Sequence, residues 1–264
     1  MLLYIVRHGE TPWNRQRRLQ GQADIPLNEN GVALARQTGE ALRGVPFDLC
    51  FSSPLLRAMQ TADAILRCSD GYAARAAAFL EAHPAYRKKA LAADAALDPA
   101  DEKSALFTPF SSTGHETPRD TRLPILPDRR IMEINFGAWE GLGCGPQNME
   151  IPDPNFPLFF TAPEQLQMPE GAENVTDVEA RCGAFLDDLL ARPELESATL
   201  LVTTHGCAMR ALLHRFYPAG SPFWQGRVPR NCEVAVIRKE DGKAAVLSDP
   251  GRIYYDPAQS VPLG

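Results

Sequence analysis

The chain has 264 residues, 44% of them apolar, and a formal net charge of -6 at pH 7, enough for one well-packed core over 1–264 with a sizeable elaboration. With no run of Lys and Arg, the acidic balance argues against a nucleic-acid or acidic-membrane surface, so an anion would be bound locally. Six cysteines (Cys50, Cys68, Cys144, Cys182, Cys207, Cys232) lie far apart without a C-x-x-C pair, which reads as reduced thiols in a cytoplasmic protein.

Leu2 to Val6 is a continuous apolar run ending at Arg7, the pattern of a strand buried on both faces of a parallel sheet rather than of a signal peptide. No other stretch approaches the roughly 20 apolar residues of a bilayer span. Asn30 to Arg43 has helical spacing, with Asn28 as N-cap and Gly44 closing it. Phe47 to Phe51 reads as a second strand, and Ser52-Ser53-Pro54 as a cap and first-turn proline opening a helix to about Leu66. From Cys68 to Pro127 the character changes. An alanine-rich stretch, Tyr72 to Ala96 with a break at Pro84, predicts helix, and the polar tract Ser111 to Arg122 predicts a loop. Arg130 to Ile134 reads as extended. Gly141 to Pro169, rich in Pro, Gly and aromatic residues, reads as an irregular loop placed to cover a pocket. Asn174 to Leu190 is an amphipathic helix. Thr199 to Thr204 is another buried strand, followed by His205-Gly206 and a helix from Ala208 to Phe216. Glu233 to Arg238 and Ala244 to Leu247, joined by Asp241-Gly242, read as a hairpin. The alternation predicts an α/β fold, a three-layer α/β/α sandwich on a mostly parallel sheet, with an inserted helical and loop cap region.

Two buried strands thus end in a histidine followed by glycine, His8-Gly9 and His205-Gly206. Ligands bind at the carboxyl ends of strands in open α/β sheets, so both imidazoles should emerge on one edge, with the glycines allowing sharp turns there. Arg57, one turn into its helix, can reach back to the same edge. Two imidazoles and two fixed cations, Arg7 and Arg57, suit a phosphoryl group. Arginine matches phosphate oxygens in pairs, and a neutral imidazole can attack phosphorus and hold the group covalently. One histidine would attack and the other, protonated, would donate to the phosphate oxygens. A divalent metal fits poorly beside Arg7, and no third ligand has a convincing place. His83, His115 and His214 lack such a setting. Cys207 reads as a small packed residue, although a thiol near two arginines could be unusually acidic.

L-Y-I-V-R-H-G-E-T-P-W-N (Leu3 to Asn14), L-Q-G (Leu19 to Gly21), P-L-N-E-N-G (Pro26 to Gly31), S-S-P-L-L-R-A-M-Q-T-A (Ser52 to Ala62), E-I-N-F-G-A-W-E-G (Glu133 to Gly141), P-E-G-A-E (Pro169 to Glu173) and T-H-G (Thr204 to Gly206) together resemble the histidine phosphatase (phosphoglycerate mutase-like) superfamily. The resemblance implies that His8 is the phosphorylated nucleophile, that Arg7, Arg57 and His205 complete a phosphate pocket, and that Glu133 gives a proton to the leaving oxygen. It also implies a further phosphate contact at Asn14 and a pocket wall at Gln20 and Gly21, with no metal and no cofactor. A carboxyl donating at neutral pH needs a raised pKa, from burial or a neighbouring phosphate; Glu10 and Glu140 are alternative acids.

Three departures matter. Arg57 and Glu133 are far apart in sequence, so 68–127 is an insertion, read as a cap or a homodimer contact. Cys207 stands where a small residue such as Gly is usual. The segment from Glu133 looks like the phosphatase branch and lacks the E-R-H-Y-G-like sequence of the mutases. The reading is a phosphoric monoester hydrolase acting on a small-molecule phosphate ester; the alternatives are a mutase and a catalytically silent phospho-ligand binding module. Specificity is expected from 141–169 and 68–127, and neither holds a motif that names a substrate. Trp139 and the pair Phe159-Phe160 are candidates for the pocket lining or for local core.

Overall fold

The computed structural model describes residues 1–95 and 123–260. Its centre is a six-stranded sheet of order β3-β2-β4-β1-β5-β6, built from β1 (Leu2–Arg7), β2 (Leu49–Ser52), β3 (Leu126–Pro127), β4 (Thr199–Thr204), β5 (Val234–Glu240) and β6 (Lys243–Arg252). β1 to β4 pair in parallel, and β5 and β6 add an antiparallel edge. Asp241 and Gly242 both have positive φ, 51° and 75°, the conformation of the tight turns that match strand twist in a hairpin.

Side chains alternate across the sheet as the pleat requires. Leu3, Ile5, Leu200 and Val202 point to one face, onto α7 (Val175–Leu190) and α8 (Gly206–His214). Val6, Cys50 and Leu201 point to the other, onto α3 (Leu56–Leu66) and α4 (Tyr72–Ala82). Helices therefore cover both faces, as the sequence predicts. α7 buries Val178, Cys182, Phe185, Leu186 and Leu189 at three- and four-residue spacing, and each large apolar side chain removed from water contributes about 1.5–3 kcal/mol. Two further helices, α1 (Pro12–Arg15) and α2 (Glu29–Ala41), frame the loop after β1. α5 (Pro84–Ala95) and the short α6 (Leu158–Thr161) complete the described helices, none of which is long and apolar enough to cross a membrane.

Several boundaries differ from the sequence reading. α3 begins at Leu56, not Pro54, because Ser53 does not cap it; the amide of Leu56 donates to Asp24 Oδ1 at 2.7 Å. The extended segment expected at Arg130 to Ile134 is instead a 3-10 turn over Arg129–Ile131, capped by Asp128, and the pairing with β2 falls earlier, at β3. α8 begins at Gly206, directly after His205, rather than at Ala208. α2 stops at Ala41, before Gly44. The described parts of the insertion, 68–95 and 123–127, form α4, α5 and the edge strand β3; Tyr72 and Ala76 pack on one face of the sheet, Leu80 and Tyr86 on the other. This helical pair therefore wraps the β3 edge. The polar tract Ser111 to Arg122 lies outside the described residues.

Candidate active site

β1 and β4 are neighbours in register, Arg7 opposite Thr204, and the amide of His8 donates to Thr204 O at 2.9 Å. The residues leaving the two strands, His8 and His205, therefore stand side by side, with ring centroids 5.1 Å apart. The following glycines supply space rather than turn conformation, since neither has positive φ. A side chain at Gly9 would meet the carbonyl of Gly31 at 2.5 Å, so the loop after β1 can lie directly on α2.

Both imidazoles are buried, and their tautomers follow from their neighbours. His8 Nδ1 lies 2.7 Å from Gly9 O, which can only accept, so the proton sits on Nδ1 and Nε2 keeps its lone pair. Burial, then the charges of Arg57 and Arg7, hold the His8 pKa well below the usual histidine range. His205 Nδ1 lies 3.2 Å from Arg57 Nε, which can only donate, so its Nε2–H points to Ser53 Oγ at 2.7 Å. Burial and Arg57 hold His205 well below the usual range too. The expectation that the second histidine is protonated is thus corrected: burial, reinforced by two neighbouring guanidinium groups, favours its neutral form.

Arg57 spends three of its five N–H groups, on His205 Nδ1, Ala23 O and Gly21 O, and two remain for a ligand. Burial pulls its pKa down to about 10, leaving it cationic at neutral pH. Arg7 donates through one terminal nitrogen to Pro229 O, and its Nε is buried without a partner among the described residues. An added Cβ at Gly206 would lie 3.6 Å from both Arg7 Nε and Glu133 Oε2. The missing side chain leaves a gap between a cation and a carboxylate.

Glu133 accepts backbone N–H groups from Ile134 at 3.1 Å and from Cys207 and Ala208 at 3.1 and 3.2 Å. The last two are first-turn amides of α8, groups that have no partner within a helix. Of the two alternative acids, Glu10 is buried against Asn28 and Asn30, and Glu140 accepts from the amides of Gln22, Ala23 and Phe136. Glu140 is therefore a brace for the Gly21 loop. Gly21 has φ +49°, and a Cβ there would fall 2.0 Å from Glu140 Oε1; its carbonyl in turn holds Arg57. Cys207 is buried, and burial followed by Glu133 pushes its thiol well above the usual range, so the acidic thiol entertained from sequence is not present.

Asn14 is buried at the start of α1, where Thr11 and Asn14 cap each other's backbone. Its Oδ1 also accepts from Asn231 Nδ2, which bonds the carbonyl of His8 at 3.0 Å. Three residues support the two histidines in ways the sequence reading did not assign: Ser53 as partner of His205 and Thr61, whose hydroxyl accepts from Gly9 N at 3.0 Å, both inside the Ser52 to Ala62 motif but given no role there, and Asn231, which lies in none of the motifs.

Arg7, His8, Asn14, Gln20, Gly21, Arg57 and Glu133 all line one cavity of about 310 Å³. His205 adjoins it behind His8 and Arg57. Phe136, Met149, Phe156, Phe159, Phe160 and Trp224 line the same cavity and form its apolar wall. Phe159 and Phe160 line the cavity; Trp139 does not, and packs edge-on against Phe156 in the core. None of the residues 68–90 lines it. The irregular stretch 141–169 is held in place by backbone pairing of Leu19 with Gly141 and Leu142 and of Arg17 with Cys144, and by Trp224 Nε1 donating to Phe159 O.

A family model described as "Histidine phosphatase superfamily (branch 1)" matches residues 3–83 and 111–248. The chain is 51% identical over 61 residues to the "uncharacterized phosphatase PhoE" of Bacillus subtilis, a match spanning 23% of this chain and 32% of that protein. It is 26% identical over 213 residues to the "2,3-bisphosphoglycerate-dependent phosphoglycerate mutase 2" of Gloeobacter violaceus, covering 80% of this chain and 74% of that protein. Among solved structures it resembles Bacillus stearothermophilus YhfR, with a TM-score of 0.66 and 25% identity over 96% of this chain and 98% of that one.

Proposed function

Given that the chain belongs to the histidine phosphatase superfamily, whose relatives found here carry phosphatase and mutase names, we propose that it hydrolyses phosphate monoesters of small molecules, without a metal, through a phosphohistidine on His8. The observation that carries this reading is the pairing of a neutral His8, its lone pair on Nε2, with two buried arginines that keep N–H groups for a ligand. Two fixed positive charges match a phosphate dianion, and a neutral imidazole adds a nucleophile without adding a third positive charge.

Nε2 of His8 attacks phosphorus, forming the P–N bond as the P–O bond to the alcohol breaks. Arg7, Arg57 and Asn14 hold the equatorial oxygens, where charge spreads in the transition state, while His205, its Nε2–H given to Ser53, positions Arg57 through Nδ1. Glu133 delivers a proton to the departing oxygen. Water then attacks the phosphohistidine, Glu133 takes its proton, the P–N bond breaks, and inorganic phosphate leaves. Gln20 and Gly21 form the adjoining wall.

The mutase reading draws on the longer relative's name. Ile134 and Phe136, which follow Glu133, present apolar side chains to the cavity, where a mutase must grip the remainder of a charged phosphoglycerate; this favours hydrolysis. Phosphate release from ester substrates in EDTA, with trapping of an acid-labile, alkali-stable phosphoenzyme, tests the proposal. Interconversion of 2- and 3-phosphoglycerate without net phosphate release would sink it.

A further inference from the structure

We infer that the alcohol portion of the substrate is apolar and bulky, aromatic or branched aliphatic, rather than a sugar, a glycerate or another polyol. The inference rests on the phosphatase reading and deepens it. The polar side chains of the cavity are Arg7, His8, Asn14, Arg57 and Glu133, committed to the phosphoryl group, Gln20 on the adjoining wall, whose buried Oε1 has no partner among the described residues, and the partly exposed Arg17 and Arg18. Arg18 is already tied to Gly141 O and Glu150.

The apolar wall is of another kind. Phe156 and Phe159 are stacked with ring planes 6° apart, and Phe136, Phe160 and Trp224 meet Phe159 at centroid distances of 5.1, 5.2 and 5.4 Å. Four of these five are nine-tenths or more buried, although they line the cavity. The one polar group among them, the indole N–H of Trp224, is spent inside the wall on Phe159 O. A polyol lying here would give up water and find no donor or acceptor in return, a cost of about 1–3 kcal/mol for each hydroxyl stranded. An aryl or branched alkyl group would gain by leaving water and by edge or face contact with the rings.

The test holds the leaving group's chemistry constant. Phenethyl phosphate, ethyl phosphate and glycerol 3-phosphate all release a primary alcohol, so differences in kcat/KM report the wall and not the intrinsic lability of the ester. Phenethyl phosphate should exceed ethyl phosphate by about 10- to 100-fold, the range expected for burying a ring-sized apolar group, and glycerol 3-phosphate should fall at or below ethyl phosphate. Phe160→Ala should shrink the phenethyl-to-ethyl ratio by about 3- to 10-fold, and Phe160→Leu should largely restore it. A preference for glycerol 3-phosphate or 3-phosphoglycerate over phenethyl phosphate would overturn the inference and leave the phosphatase reading standing. If no ester is turned over, the phosphatase reading fails, and calorimetry with phenethylphosphonate against ethylphosphonate still decides the wall: tighter binding of the former supports it, and equal affinity overturns it.

Discussion

The floor and the wall of the cavity are built on opposite plans. The floor comes from the ends of β1 and β4 and the first turn of α3, and each functional side chain there is fixed by a second group: His8 by Gly9 O, His205 by Ser53 and Arg57, Arg57 by Gly21 and Ala23. The wall comes mostly from an irregular stretch, 141–169, and is held by stacking of rings and a few backbone bonds. Rigid strand ends place charge within tenths of an ångström, which phosphoryl transfer needs. Ring packing shapes a volume, which is enough to select an apolar group.

Damage to the floor should strike every substrate, whereas damage to the wall should strike only large ones. The largest effect is expected for His8→Ala, which should lower kcat by about 10⁴-fold or more for all esters alike; retained activity, or a loss confined to bulky esters, would break the distinction. Glu133→Gln should cost about 10²- to 10⁴-fold on alkyl esters, the range of general acid catalysis. It should cost much less on p-nitrophenyl phosphate, whose leaving group needs no proton, and equal losses on both would remove Glu133 from that role. At the seam between the two regions, Gly21→Ala should destabilise the fold by about 1–3 kcal/mol through its positive φ and the clash with Glu140, read as a lowered Tm, while also loosening Arg57.

The smallest effect concerns acid. Unfolded, His8 and His205 bind protons near pH 6.5; folded, both stay neutral well below it. Between those limits the unfolded chain takes up protons that the folded chain refuses. Stability should therefore be full above pH 6.5 and fall as pH drops below it, by up to about 1.4 kcal/mol per pH unit for each histidine. Denaturant titrations at pH 7.5 and 5.5 should show this loss reduced in His8→Ala; an unchanged loss would mean that the histidines do not titrate as a buried neutral pair.

The floor was legible in the sequence because short motifs fix it: Arg7-His8-Gly9, Ser53 to Arg57 and Thr204-His205 each carry their geometry locally, at a strand end or a helix start. Ser53 was legible as a polar residue before a helix but not in its role, because its hydroxyl is drawn to His205, 152 residues away, while Asp24 caps the helix instead. His205 was expected charged because the sequence, which already placed Arg7 and Arg57 at the same edge, does not show how completely the imidazole is buried beside them. Asn231 escaped notice because it lies in a loop with no periodicity, and its contacts to His8 and Asn14 exist only once the chain has closed on itself. The wall had composition but no spacing: Phe159 and Phe160 line the cavity and Trp139 does not, a difference set by tertiary packing alone.

The anchoring of 141–169 to the Arg17–Leu19 segment on one side and to Trp224 on the other bears on the order of events in a turnover. On the proposed phosphohistidine route, a wall pinned at both sides would stand as a fixed chimney above His8, filled by the alcohol until it departs. On that route the alcohol would be the first product out and phosphate the last, since the phosphoryl group stays on His8 until water takes it. Kinetically the enzyme should run as a ping-pong system in which inorganic phosphate competes with the ester, and in which added small alcohols, entering the vacated chimney, divert the phosphoryl group from water to themselves.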